Sequence, residues 1–228
     1  TRMGRMQPEK AGTSRKQFML LDGLPILVHT VRKFIPSHFV TEIVIALRRE
    51  EIEWVSELLQ PEAQIKSLRL VEGGDSRQQS VENALLALGE DTDLVAVHDA
   101  VRPFVDQQII ENVVKAAAES GAAIAGIVPV DTVKQVHLHK VRQTLTRERM
   151  ILTQTPQVFR YSLLRLAFER AREDNFTGTD ESSLVERLEQ VEVSVVAGSD
   201  RNIKITRPFD MEMARLFHSL EREGRKAS

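Results

Sequence analysis

The stretch Asp93-Leu94-Val95-Ala96-Val97-His98-Asp99-Ala100-Val101-Arg102-Pro103 decides the fold. Its first half is a short apolar run with β-branched residues, the pattern of a buried strand. Its second half turns abruptly to imidazole, carboxylate and guanidinium. A buried strand that ends in charged groups is the signature of a ligand-binding edge in an open α/β sheet, where ligands collect beyond the carboxyl ends of the strands.

Working outward, strand and helix patterns alternate. Helical spacing occupies residues 25–34, 50–59, 76–88, 106–120, 161–172, 180–188 and 208–220. Strand patterns occupy 42–47, 68–71, 93–97, 123–130, 157–159, 191–196 and 202–206. Pro25 suits a first helical turn, Gly121 a helix C-terminus, and Thr179 or Asp180 a cap. The segment 132–146 departs from the rhythm. It alternates weakly around a polar centre and reads as a projecting β-hairpin arm. The alternation predicts one domain, 1–228, with the arm at about 131–150. Its fold class is α/β, a Rossmann-like, doubly wound, mostly parallel sheet.

Composition narrows the function. The chain has 228 residues, 42% of them hydrophobic, enough for a sizeable core. Its formal net charge of -2 gives no basic excess for nucleic acid. With no cysteine, thiol catalysis, disulfides and cysteine-held metal clusters are excluded. No apolar run approaches the roughly 20 residues that span a bilayer. The expected setting is the cytoplasm, with a plastid not excluded.

The strand exits carry the chemistry. After the 68–71 strand come Gly73, Gly74, Asp75, Ser76 and Arg77, then Ser80. After 93–97 come Asp99, Ala100 and Arg102; after 123–130 come Asp131 and Thr132. Asp99 suits a hard divalent cation bound by one carboxylate and substrate phosphates, and Arg102 suits a phosphate. The same spacing equally serves a helix-start aspartate with a surface arginine. The paired glycines permit close backbone approach to a ligand or an ordinary turn. Arg2, Gly4 and Lys16 lie in a glycine-, proline- and charge-rich stretch that reads as a loop carrying cations to a triphosphate, or as a basic N-terminus. His137 and His139 read as solvated hairpin residues.

Taken in order, TRMG (1–4), RKQF (15–18), LDGLPILVHTV (21–31), VEGGDSRQQSVENAL (71–85), VHDAVRPF (97–104), PVDTVK (129–134), TQTPQVF (153–159), TDESSLVE (179–186) and DRNIKITRPFD (200–210) resemble the 2-C-methyl-D-erythritol 4-phosphate cytidylyltransferases. The resemblance implies a nucleotide-diphospho-sugar transferase type of fold. It implies CTP and a sugar-alcohol phosphate as substrates, Mg²⁺ or another divalent cation, and a homodimer formed through the arm. It assigns Arg2, Lys16 and Lys204 to catalysis. Gly4, Gly73, Gly74, Asp75, Arg77, Ser80, Asp99 and Ala100 fall to CTP, and Asp99 also to the metal. Arg102, Thr132, Arg147, Thr155 and Thr179 fall to the acceptor, Arg147 in the neighbouring subunit's site. The family carries, ahead of TRMG, a mid-sheet apolar strand and an A-A-G-x-G phosphate turn. The expectation is that the sequence beginning at Thr1 omits this leading segment. A ribitol 5-phosphate cytidylyltransferase shares most of these motifs. A non-catalytic nucleotide-binding subunit is the reading from another class.

Overall fold

The computed structural model describes residues 15–226, so the readings placed on Arg2 and Gly4 lie outside the described residues. Strand and helix alternate as the sequence predicts. In chain order they are β1 (Leu20–Leu21), β2 (Leu24–Pro25), α1 (Ile26–Phe34), β3 (Glu42–Leu47), α2 (Arg49–Leu58), α3 (Gln60–Ala63), β4 (Ser67–Glu72), α4 (Arg77–Leu86) and β5 (Leu94–Val97). Then follow α5 (Gln107–Ser120), β6 (Ala122–Ile127), β7 (Lys134–His137), β8 (Lys140–Thr144), β9 (Leu152–Arg160), α6 (Tyr161–Glu173), α7 (Glu181–Glu186), β10 (Ser194–Ala197) and α8 (Pro208–Lys226). Short 3-10 turns stand at Lys16–Phe18 and Arg147–Arg149.

The central sheet has the order β10-β6-β9-β5. β6 and β10 run parallel, while β9 runs against both β6 and β5. Three of its strands therefore point one way and β9 points back. β3 and β4 form a separate parallel pair. Among the described residues no ladder joins β3 to β5.

Alternation along β9 and β6 shows why the sheet is covered on both faces. Val158, Ala123 and Ala125 pack with Ile109, Ile110 and Val113 of α5. Their sequence neighbours Phe159, Ala122 and Ile124 pack with Leu164 and Phe168 of α6 and Leu184 of α7. Successive residues of a strand point to opposite faces, so where both faces are covered consecutive residues of β6 and β9 are apolar. A third cluster joins Leu27, Val28 and Val31 of α1 to Ile45 and Leu47 of β3 and Val55 of α2.

Helix ends follow local chemistry. The Asp106 carboxylate accepts from the Ile109 amide at 2.8 Å and starts α5, satisfying an amide that has no carbonyl partner within the helix. Gly121, at φ 91°, ends that helix, in a conformation that a side chain would oppose. Asp180, rather than Thr179, caps α7 by accepting from the Ser183 amide at 3.1 Å.

Several boundaries move. The 123–130 strand ends at Ile127, and Val130 is 80% exposed. The 157–159 strand grows to nine residues. Residues 202–206 form no strand. A single backbone bond, Ile205 N–H to the Val101 carbonyl at 2.9 Å, ties them to the 98–102 loop, and no ladder develops. The 132–146 arm is a two-stranded hairpin whose tip residues, Leu138 and His139, take φ of 48° and 60°. His137 and His139 are exposed. Among the described residues no set of three or more histidine, cysteine or acidic side chains is arranged to hold a metal by itself.

Candidate active site

The Asp99 carboxylate, at the exit of β5, is the hub of the site. Arg77 Nε lies 3.4 Å from its Oδ1. Arg102 Nε and Lys204 Nζ lie 3.2 and 3.1 Å from its Oδ2. Burial pushes this carboxyl up, but Lys204, Arg77 and Arg102 outweigh burial and hold it below the usual carboxylate range. It is a charged group at neutral pH.

Three elements bring these cations together. Arg77 opens α4, just past the Gly73-Gly74 exit of β4. Arg102 closes the loop after β5, and its NH1 donates to the Asn202 carbonyl at 2.7 Å. Lys204 comes from the irregular segment before α8. Asn202 is buried and donates to the Thr155 carbonyl at 2.9 Å, which pins that segment to β9.

A hydrogen-bonded chain fixes the loop from beneath. The Asp99 amide donates to Thr155 Oγ1 at 3.1 Å, and Thr155 Oγ1 stands 3.0 Å from His98 Nδ1. His98 Nε2 stands 3.1 Å from the Arg102 carbonyl. A carbonyl can only accept, so Nε2 carries the proton and Nδ1 accepts from the threonine. Burial lowers the His98 pKa to about 4, against the Arg102 carbonyl and the Asp99 charge, which favour the cation. The ring is therefore neutral and its tautomer is set by its two partners.

β9 supplies the floor. Its register against β6 shifts between Ile124 and Gly126, opposite Gln154, Thr155 and Pro156, where the Thr155-Pro156 peptide is cis. Such a bulge re-aims side chains. Here Thr153, Gln154, Thr155 and Gln157 line a cavity of about 230 Å³ together with Arg77, Asp99, Arg102, Thr179, Asp180 and Lys204. A second hollow of about 490 Å³ is lined by Arg15, Lys16, Gln17, Arg48, Val101, Lys204 and Thr206. It holds four cations and no carboxylate among these residues. Lys204 belongs to both hollows. Arg15 is ion-paired with the buried Glu51 at 3.0 Å; Lys16 has no acidic partner among the described residues.

Lys16, Asp99, Arg102, Thr155, Thr179 and Lys204 thus line two hollows that share Lys204. Arg77 joins them as a cation on Asp99. Gly73, Gly74, Asp75 and Ser80 form a neighbouring turn. Its bonds run from the Gly73 amide to the Leu47 carbonyl at 2.7 Å, from the Gly74 amide to Ser80 Oγ at 3.1 Å, and from the Asp75 amide to Gln79 Oε1 at 3.0 Å. A Cβ on Gly73 would stand 2.9 Å from Ser80 Oγ, so that glycine lets the turn close on the helix. The Ala100 carbonyl accepts from Thr30 Oγ1 at 2.8 Å. Thr132 and Arg147 sit on the exposed arm and do not line either hollow. Arg147 donates to the Val130 carbonyl and faces Glu148.

Sequence reasoning missed His98, Gln154, Gln157, Asp180, Glu181 and Asn202 as parts of this site. Each is an ordinary polar residue in sequence. The available signal was the TDESSLVE motif, whose Asp180 and Glu181 prove buried or half-buried.

The family model described as IspD, 2-C-methyl-D-erythritol 4-phosphate cytidylyltransferase, matches residues 4–219. The chain belongs to this family. A 2-C-methyl-D-erythritol 4-phosphate cytidylyltransferase of Solibacter usitatus (strain Ellin6076) is 63% identical over 95% of this chain and 90% of the relative. The protein of the same name from Acidobacterium capsulatum is 46% identical over 92% and 89%. Among solved structures, the 4-diphosphocytidyl-2C-methyl-D-erythritol synthase of Anaerococcus prevotii superposes with TM-score 0.84 at 28% identity, covering 90% of each chain. The Thermus thermophilus cytidylyltransferase does so with TM-score 0.75 at 31% identity, over 90% of this chain and 94% of that one. These cytidylyltransferases share the Rossmann-like α/β fold described above, and among the described residues no helix is long and apolar enough to cross a membrane.

Proposed function

We propose that the chain transfers a cytidylyl group from CTP to 2-C-methyl-D-erythritol 4-phosphate, releasing pyrophosphate and forming the diphosphate-linked product of the non-mevalonate isoprenoid route. The observation that carries this reading is the place of Lys204. It stands between a hollow lined by four cations and no carboxylate and a polar cavity built on Asp99. A triphosphate suits the first and a phosphorylated polyol suits the second, with Lys204 at the join where phosphorus changes partners.

The chemistry asks little of a general base. The acceptor's phosphate oxygen is already anionic. It attacks the α-phosphorus of CTP in line; a new P–O bond forms as the bond to the β,γ-diphosphate breaks, and pyrophosphate carries the electron pair away. The protein's tasks are alignment and neutralisation of the charge that builds on the α-phosphoryl oxygens. Lys16 and Lys204 supply that charge, and Arg102, held rigid by Asp99 and Asn202, keeps the acceptor side cationic. Thr153, Gln154 and Thr179 offer polar contacts to the acceptor. The residues also fit Mg²⁺. This ion favours one or two carboxylates plus substrate phosphates over an all-protein cage, and Asp99, beside the Lys204 shared by both hollows, is the carboxylate that would hold it. When bound, the ion would neutralise triphosphate charge. Arg147 and Thr132, carried outward on the arm, would serve a twofold-related partner's site in a homodimer.

The direct test is to incubate the chain with CTP, Mg²⁺ and either 2-C-methyl-D-erythritol 4-phosphate or ribitol 5-phosphate, following pyrophosphate. Release with the first acceptor and little with the second is expected. Equal or greater release with ribitol 5-phosphate would reverse the acceptor assignment. No release with either, alongside thermal stabilisation by CTP, would favour a non-catalytic nucleotide binder.

A further inference from the structure

Glu181 is 1% exposed, yet it lies at the wall of a polar site. A buried carboxylate is costly unless it is paired. Its partner is Arg77, 104 residues away in sequence, whose NH1 and NH2 donate to the two Glu181 oxygens at 2.7 and 2.9 Å. This fork fixes the plane of the guanidinium. The remaining nitrogen, Nε, is left facing Asp99 Oδ1 at 3.4 Å. Arg77 is 38% exposed, so without the fork it would be free to turn toward solvent or toward an anion.

The three cations on Asp99 therefore differ in freedom. Arg102 is buried and held by the Asn202 carbonyl. Arg77 is held by Glu181. Lys204 is 42% exposed, and Asp99 is its one ionic partner among the described residues.

We propose that Glu181 is a positioning residue for the transfer: by clamping Arg77 against Asp99 it leaves Lys204 as the one of these three cations able to move from the carboxylate to the reacting phosphate. Neither composition nor spacing marks Glu181 for this, and it touches neither hollow itself. The division of labour has a physical logic. A carboxylate with two immobile cations stays in place when the third departs. A carboxylate whose arginine is loose would retain Lys204 or draw Arg77 after the substrate. This inference rests on the cytidylyl-transfer reading, but one arm of its test does not.

The experiment compares wild type with Glu181→Gln, Glu181→Asp, Arg77→Lys and the Glu181→Gln/Arg77→Lys double variant. Side-chain ¹⁵N relaxation of the Arg77 Nε–H is recorded in wild type and both Glu181 variants. Steady-state kinetics are normalised to folded protein. Arg77 should be ordered in wild type and mobile in Glu181→Gln. Turnover per folded molecule should fall about 10- to 100-fold, the scale of a misaligned site, while KM for CTP stays within about threefold. Glu181→Asp keeps the charge and should recover part of both. Arg77→Lys, which cannot fork, should reproduce the kinetic loss, and the double variant should add nothing to it. If Glu181→Gln does not fold, Arg77→Lys and Glu181→Asp carry the same comparison. An Arg77 that stays ordered in Glu181→Gln, unchanged turnover per folded molecule, or additive losses would each overturn the proposal. An inactive wild type with an Arg77 still ordered by Glu181 would instead sink the transferase reading and leave the clamp standing.

Discussion

In the proposed transfer, Lys16 and Lys204 divide one task between two places. Lys16 lines only the cationic hollow, whereas Lys204 reaches both hollows. Each charge matters most when the α-phosphoryl oxygens gain charge, so its loss should be felt in kcat more than in ground-state binding. Lys16→Ala is expected to lower kcat on the order of 100-fold with KM for CTP rising less than about threefold. A steady-state series in which only KM moves would contradict this. His98 gives a prediction of a different kind. Its folded pKa of about 4 lies below the ordinary 6.5. The unfolded chain therefore takes up a proton that the folded chain refuses as pH falls from 6.5 to 4. Stability contributed by the neutral ring is complete above 6.5 and is lost through that window. The residue keeps partial exposure, so about 3 kcal/mol is a ceiling for the loss. Urea midpoints of wild type and His98→Gln, measured between pH 7.5 and 4, should converge as pH falls. Parallel curves would show that the ring does not titrate this way. His98 was not legible in the sequence, because a histidine after a strand becomes a neutral clamp only when Thr155 and the Arg102 carbonyl reach it.

At the scale of elements, the caps were readable and the irregular pieces were not. Asp106, Gly121 and the 180–188 helix start follow from residues adjacent in sequence, and the structure puts them where local chemistry requires. The Asp180 cap does more than start α7. Its Oδ2 accepts from Gln157 Nε2 at 2.8 Å and from Ser182 Oγ at 3.0 Å, and Gln157 is wholly buried. Asp180→Ala should cost roughly 2–4 kcal/mol, the sum of a lost cap and a buried amide left without its acceptor. Chemical denaturation is the measurement. A cost below about 0.5 kcal/mol would mean that water replaces the carboxylate fully. The β9 bulge and the strandless 202–206 segment escaped the sequence reading for a shared reason. A period-2 pattern reports which face is buried. It does not report where a partner strand loses register, or whether a short apolar segment finds a ladder at all.

The whole molecule shows why the arm stands apart. Among the described residues β7 and β8 pair only with each other, and every residue of both strands is exposed. Val130, Val136, Leu138 and Val141 are exposed on or beside this hairpin. A two-stranded ribbon has little stability of its own, which gives a physical motive for the proposed docking on a second copy. If the proposed homodimer forms through the arm, replacing residues 131–150 by a short glycine-serine linker should leave a monomer in sedimentation velocity where the intact chain sediments as a dimer. On the proposed reading, in which Arg147 serves a partner's site, the same change should also remove activity. A shortened chain that still sediments as a dimer would exclude the arm as the interface.

The sequence by itself determined the alternation of strand and helix, the doubly covered sheet, the hairpin, and the list of polar strand exits. These follow from periodicity, caps and turn residues, which act over a few positions of the chain. Only the tertiary structure decided that Arg77 forks onto Glu181, that His98 is neutral, that β9 runs backward with a bulge, and that Lys204 stands between two hollows. Those facts depend on contacts between residues about 30 to more than 100 positions apart, whose burial and charge no local pattern specifies.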